Sequence, residues 1–348
     1  MLVDGAGSAS GAARWSGVLL LFLALSLGAC GDGGKPQLSE VPEPPDTTPT
    51  DTLVPPPDTL VPPPDTLVPP PDSGGPALPP HIPVHVGIPY GPWTLPPGQF
   101  AGAEFTGSYR PSGEPATLMA DLEAARQADL RIVLNFTGNE RWLRDEHGFS
   151  LSKWKARVDR FRGMDITSYI ADGTIIGHFI LDEPNDKGNW NGQQVSVADI
   201  DEMARYSKEI WPTMATIIRA FPAYLSGYHY QYLDAVWAHY VARLGPVDAF
   251  ITQNAEQAKA AGLGFVTGLN VLNGGNSESG IPGKSDGKFG MSAGQIRAWG
   301  GRLLAEPSIC GFFMWKYDEQ YFSRPDITAA LTDLEQVAKS RPKKECRP

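Results

Sequence analysis

The segment Leu181-Asp182-Glu183-Pro184-Asn185 sets two adjacent carboxylates at the end of the apolar run 174–181 (TIIGHFIL), just before a proline that turns the chain. Acid–base cleavage of an acetal bond uses one carboxylic acid to protonate the leaving oxygen. A second group then acts as base, nucleophile or electrostatic partner. Glu183 is the candidate acid, since a neighbouring carboxylate such as Asp182 and aromatic walls both raise a carboxyl pKa. Candidates for the second carboxylate are Asp182, Asp318 and Glu319. Each has a structural alternative. Asp182 is equally suited to cap a following helix or to bind Arg219, Glu183 to form an ion pair, and Asp318 and Glu319 to sit in an exposed loop.

Around these acids lies a set of groups that hold sugars elsewhere in protein chemistry. Tyr90, Trp93, Trp237, Trp315 and Tyr317 offer aromatic faces, and Asn135, Arg219, His239 and Asn270 offer hydrogen bonds. All are candidate substrate-binding residues. The aromatics serve equally as core, and His239, like His178, suits a hydrogen-bonded position inside the fold. Arg219 has two possible partners, Glu183 or an anionic substrate group.

What must position these residues is an alternation of short apolar runs and longer helical patterns. Strands are expected at 83–88, 131–136, 174–181, 214–221, 233–240, 265–272 and 309–317, with an eighth within 99–109. Helices are expected at 117–128, 152–171, 197–211, 246–261, 293–305 and 327–340. For the helix at 246–261, Pro246 suits the first turn and Gly262 the stop. This rhythm implies parallel strands with helices packed outside. In size and order it fits an α/β fold, a (β/α)₈ TIM-like barrel, with a doubly wound open sheet as the alternative. No Gly-x-Gly-x-x-Gly follows the first strand, so a dinucleotide site is not indicated. In a barrel the chemistry sits at the carboxyl ends of the strands, where the candidate residues fall.

On these residues the chain resembles the (β/α)₈ glycoside hydrolases, in particular the large clan whose acid/base glutamate ends a strand in Asn-Glu-Pro. It is also similar to retaining hexosaminidase-type families that use an Asp-Glu pair and the substrate's own acetamido group. An aromatic late strand, here Trp315 and Tyr317, is a shared feature. The resemblance implies a glycan substrate, a polysaccharide or cell-wall glycan, and no cofactor. The chain departs from the pattern at two places. Asp182 stands where the clan has Asn, and the next-to-last strand reads GLNVLNGG without an acid, Glu278 following several residues later. A carbohydrate-binding barrel without turnover and a structural envelope protein remain the alternatives.

The N-terminus carries Arg14 and the apolar run VLLLFLALSL at 18–27. That run is shorter than the roughly 20 residues of a membrane span and fits a signal peptide. Leu27-Gly28-Ala29-Cys30 resembles the bacterial lipobox. Residues 1–29 are thus an expected signal peptide, with Cys30 the lipidated residue that anchors the chain in the membrane of the cell envelope, facing the periplasm or exterior. Asp-Thr-Leu-Val-Pro-Pro-Pro then occurs at 51–57, 58–64 and 65–71. Prolines at that density exclude a coiled coil and imply an extended polyproline II linker over 30–80. Residues 81–348 are left for the barrel. A net charge of −10 without a substantial basic cluster speaks against a nucleic-acid partner, and the chain is expected to act as a monomer. No His or Cys spacing suggests a metal. With Cys30 assigned, Cys310 and Cys346 remain. Cys310 opens the last strand at the barrel floor, where the final helix also ends, so the topology predicts a disulfide between them.

Overall fold

Seven of the eight expected runs contribute strands, and the first barrel strand forms just beyond 83–88; all eight barrel strands are parallel. In the computed structural model, which describes residues 81–347 apart from 103, 112 and 113, they are β1 (Tyr90–Pro92), β2 (Gly107–Pro111), β3 (Arg131–Asn135), β4 (Ile175–Asp182), β5 (Thr216–Arg219), β6 (Ala235–Tyr240), β7 (Gly264–Leu269) and β8 (Ile309–Met314). Each pairs with its neighbours in the order β1-β8-β7-β6-β5-β4-β3-β2. A parallel bridge between Trp93 and Tyr109 closes the ring, reinforced by Thr94 N–H donating to the Tyr109 carbonyl (2.8 Å) and Thr106 N–H to that of Tyr90 (2.9 Å). The fold is therefore the (β/α)₈ barrel expected. The expected signal peptide, the lipidation at Cys30 and the proline-rich linker lie outside the described residues.

The helices are α1 (Pro115–Gln127), α2 (Leu151–Asp159), α3 (Thr167–Ala171), α4 (Val197–Ile210), α5 (Pro222–Leu225), α6 (Val247–Ala260), α7 (Ala293–Leu304), α8 (Glu319–Phe322) and α9 (Pro325–Ser340); all but the short α5 and α8 lie where the apolar spacing put them. The start of α7 shows the local logic. Ser292 accepts from Gln295 N–H, and the Gln295 side chain reaches back to Ser292 N–H, a capping box that meets two otherwise unpaired donors. The helical pattern expected over 152–171 is two helices, α2 and α3, broken at a turn where Gly163 takes φ +89°. The strand expected at 83–88 is a correction. Those residues run across the barrel floor without pairing, with Val84 and Val86 exposed. Gly87, at φ +57°, presses so closely on α9 that a Cβ there would meet the Ala338 carbonyl at 2.1 Å. β1 starts after it. The eighth strand, β2, emerges at the far end of the expected 99–109 segment.

Two apolar layers follow from the strand period of two. One lies between strands and helices. The other fills the barrel with Trp93, Tyr109, Phe179, Trp237 and Phe313, together with smaller residues. These rings pack edge to face or tilted, at centroid distances such as 4.1 Å for Trp93–Tyr109 and 5.0 Å for Trp237–Phe313. On β7, Gly268 faces the carbonyl of Phe313 at a position where a Cβ would lie 1.6 Å from the oxygen, so only glycine lets the last two strands approach here.

At the floor, Cys310 and Cys346 are bonded, as the topology predicted, with Cα atoms 5.2 Å apart and a sequence separation of 36. The bond ties the chain after α9 to the start of β8. In the loop-entropy model a closure of this length is worth roughly 4 kcal/mol. Replacing both cysteines by serine is expected to lower the unfolding free energy by about that amount, read from urea titrations of the oxidised protein and the variant. Equal midpoints for the two would show that the bond does not constrain the chain.

Candidate active site at the carboxyl ends of the strands

Parallel pairing sets Asp182 of β4 directly beside Arg219 of β5. The guanidinium Nε donates to the Asp182 carboxylate, and Nη2 lies 3.0 Å from Glu183 Oε1. One arginine thus serves two consecutive carboxylates. Burial works against the Arg219 charge, but Asp182 and then Glu183 outweigh it and hold the guanidinium firmly protonated. Its carbon stands 5.4 Å from the Trp93 ring centroid, so the cation also rests on the aromatic filling of the barrel. Of the roles open to Asp182, pairing with Arg219 is the one observed, since α4 begins only at Val197.

Glu183 sits at φ +39°, a conformation that side chains rarely adopt. It is held there from both sides. Its N–H donates to the Arg219 carbonyl (2.9 Å), and its own carbonyl accepts from the indole N–H of buried Trp190 (2.9 Å). The Glu183 side chain is 43% exposed, whereas that of Asp182 is 18% exposed. The backbone therefore presents Glu183 to solvent at the rim while Asp182 stays underneath as the anchor.

A third carboxylate belongs to this cluster and was passed over among the sequence candidates. Glu140 opens the turn after β3, where Asn139 accepts from Arg141 N–H. Burial pushes the Glu140 carboxyl upward, and the charges of Asp182 and Glu183 add to that, with Arg219 opposing. The signal available was position alone: an acid five residues beyond Asn135, on the same rim as Glu183.

The remaining candidates divide. Trp93, Tyr109 and Trp237 plug the barrel beneath the rim, and His239 joins them, 5.4 Å from Trp93 and 5.2 Å from Trp237 between ring centroids. Burial first, and then the Arg219 charge, depress the His239 pKa far below the imidazole range, so the ring is neutral. The indole N–H groups of Trp93 and Trp237 and both His239 nitrogens are buried without a well-formed hydrogen bond to any described residue. Asn135 is held internally: its side-chain oxygen accepts from the Thr137 and Gly138 N–H groups (2.7 and 2.9 Å), and its Nδ2 donates to the Tyr109 hydroxyl (2.8 Å). Asn270 accepts from Asn273 N–H (3.0 Å), shaping the turn after β7. Trp315 and Tyr317 are half-buried on the chain leaving β8, which is laced to β7 and β1 by Trp315 N–H to Leu269 O and Tyr317 N–H to Trp93 O.

Three candidates lie apart from the Arg219 cluster. Tyr90 faces outward, its hydroxyl donating to the Leu331 carbonyl of α9 (3.0 Å). Inward-facing Trp93 stands three positions further on, and a period of two cannot place both on one face. Asp318 caps α8 by accepting from Tyr321 N–H (2.9 Å) and is salt-bridged to Lys284 (2.7 Å). Although burial acts the other way, those bonds hold its carboxyl below the usual range. Glu319 lines a separate cleft of about 480 Å³ with Glu104, Tyr317 and Phe322, outside the Arg219 cluster. Among the described residues, no group of three or more His, Cys, Asp or Glu is placed to hold a metal ion.

No protein-family model matches the chain, and neither does any curated protein. Among solved structures it is similar to a GH5_18 from Bifidobacterium longum subsp. infantis (TM-score 0.49, 11% identity, 74% of this chain and 81% of that one). It is similar also to a GH113 β-1,4-mannanase (0.47, 13%, 74% and 100%). A third is the Parabacteroides merdae β-glucuronidase (0.42, 13%, 62%), of whose length the chain spans 27%.

Two outcomes follow from the shared arginine. Arg219→Met leaves Asp182 and Glu183 without their cation and is expected to destabilise the fold by roughly 3 kcal/mol, measured by chemical denaturation. A loss confined to a few tenths would mean that solvent already screens the carboxylates. Glu140 has the opposite sign. Its raised folded pKa favours the folded state below the ordinary glutamate range, and that contribution disappears as pH rises through the folded value. Glu140→Gln should therefore stabilise the protein at pH 7 and leave it unchanged at pH 3.5. Stabilisation at both pH values, or at neither, would contradict the placement.

Proposed function

We propose that the rim is a glycan-cleaving site in which Glu140 supplies the proton and Glu183 acts as the base or nucleophile. One observation carries this reading: a single guanidinium is shared by Asp182 and Glu183, while a third carboxyl beside them is pushed toward its neutral form. From sequence, Glu183 was the expected acid. Arg219 holds the Glu183 carboxylate at the rim while burial pushes Glu140 toward its neutral form, so this reading gives the acid role to Glu140 and the base or nucleophile role to Glu183. Glu140 protonates the leaving glycosidic oxygen as the carbon–oxygen bond breaks. Either water attacks the sugar carbon as that bond breaks and Glu183 takes up its proton, or Glu183 itself attacks the carbon and water then displaces it, giving its proton to the now ionised Glu140. Asp182 orients Arg219, which keeps Glu183 in place. Exposed Trp142 and Phe221, with Trp315, supply aromatic surface at the same end of the barrel.

The expected lipid on Cys30 and the proline-rich linker would hold this barrel away from the envelope, facing a polymeric substrate. Binding without turnover is favoured by one observation, the absence of an acid where β7 ends in Leu269-Asn270.

A panel of neutral and acetylated glycans separates the two. Wild type should release reducing ends from at least one, and Glu183→Gln and Glu140→Gln should each lower kcat at least roughly 100-fold, the usual worth of an acid or base. Glu140→Gln should also flatten one limb of the pH–rate profile. Activity unchanged in Glu183→Gln sinks the assignment. Saturable binding to wild type with no product from any glycan leaves the binding-only barrel.

A further inference from the structure

The opposite end of the barrel holds a cavity of about 700 Å³, lined where the strands begin. Pro89 precedes β1, Arg131 opens β3, Ile175 and Ile176 open β4, and Cys310 lies at the start of β8. Ile170 and Ala171 of α3 complete an apolar wall. The other wall is the chain after α9, held in place by the Cys310–Cys346 bond, and it brings Lys343, Lys344 and Arg347 to the cavity.

The charges here are unbalanced. Arg131 is buried, and its guanidinium donates only to neutral acceptors: the carbonyls of Gly87 and Val86 at 2.8 Å each, the Thr106 carbonyl at 3.3 Å and the Thr106 hydroxyl at 3.4 Å. A buried cation is ordinarily matched by a carboxylate. Among the described residues none of Arg131, Lys343, Lys344 and Arg347 has a carboxylate within salt-bridge distance. The acids lining the cavity are Asp172, which is already paired with Arg126 at 2.7 Å, and Glu345. His85 also lines it, with Nε2 buried and without a partner among the described residues. Burial, and after it the Arg131 charge, lower the His85 pKa, so this ring adds a neutral polar group rather than another cation.

We propose that this cavity binds a small amphiphilic anion, a carboxylate on an aliphatic chain. Its head lies among Arg131, Lys343, Lys344 and Arg347, and its tail against Pro89, Ile170, Ile175 and Ile176. The volume falls within the usual range for ligand pockets. The cations select the head and the apolar wall selects the tail, so neither an inorganic anion nor an uncharged alcohol satisfies both. The site is independent of the rim, because every strand residue lining it lies at or before a strand start.

Calorimetric titration of the full chain with octanoate, octanol and inorganic phosphate tests this. Octanoate should bind saturably at one site, and more tightly than either of the others. Combined Lys343→Gln, Lys344→Gln and Arg347→Gln substitution, at exposed or half-buried positions, should weaken octanoate roughly tenfold. Ala171→Glu, an exposed position at the cavity edge, should do the same by setting a like charge beside the head. Melting temperatures of the variants report their folding. Octanoate binding that is absent, or equal in wild type and both folded variants, overturns the proposal. So does phosphate or octanol binding as tight as octanoate.

Discussion

The interior of an eight-stranded barrel has to be filled by the inward side chains of its own strands, and here five large aromatic residues fill it. Trp93, Tyr109, Phe179, Trp237 and Phe313 occupy the space so fully that the polar chemistry has to begin above them. Arg219 lies on that surface, over Trp93, and its length allows it to reach both acids at the end of β4. The aromatic plug thus sets the height of the rim, Arg219 transfers that height to Asp182, and Asp182 leaves Glu183 as the outward carboxylate. A smaller filling would allow the guanidinium to sink, and the pair would no longer be held at the surface.

The same packing leaves a polar deficit. The two indole N–H groups and the His239 ring are buried between the plug and the rim without well-formed partners among the described residues. An unmet buried donor is worth about 1–3 kcal/mol against folding. Those groups are therefore the natural place for a bound hydroxyl or water to be welcomed, directly beneath the carboxylates. His239 is neutral, so it contributes hydrogen bonding rather than charge to that floor.

Much of this was legible from residue order. Strand–helix alternation gave the barrel, the Asp182–Glu183 pair marked the end of β4, and Cys310 and Cys346 fell together because topology brings a strand start and the last helix end to one floor. What was missed depended on contacts between distant segments. Residues 83–88 have strand-like composition, but Gly87 is committed to the carbonyl of Ala338, some 250 residues away. Tyr90 and Trp93 look alike in sequence, and only the start of the strand pairing decides which faces inward. Asp318 read as a rim acid because its two partners, Lys284 and the N–H of Tyr321, become visible only once the loop is folded. Glu140 was overlooked for the converse reason. Nothing in its local sequence marks it, and its character comes from β4 and β5.

The two ends of the barrel are also separated electrically. At the rim, Arg219 stands against Asp182, Glu183 and Glu140, so its positive charge is already consumed by the protein's own acids. That argues against a role in clamping an anionic substrate group, and under the proposed function it favours a neutral sugar. At the floor the balance is reversed, with Arg131, Lys343, Lys344 and Arg347 gathered on a chain whose overall charge is −10. Strands of five to six residues span about 20 Å, more than twice the screening length of about 8 Å at physiological salt. Charges at one end are therefore scarcely felt at the other through solvent, and each end selects its ligand by its own local field.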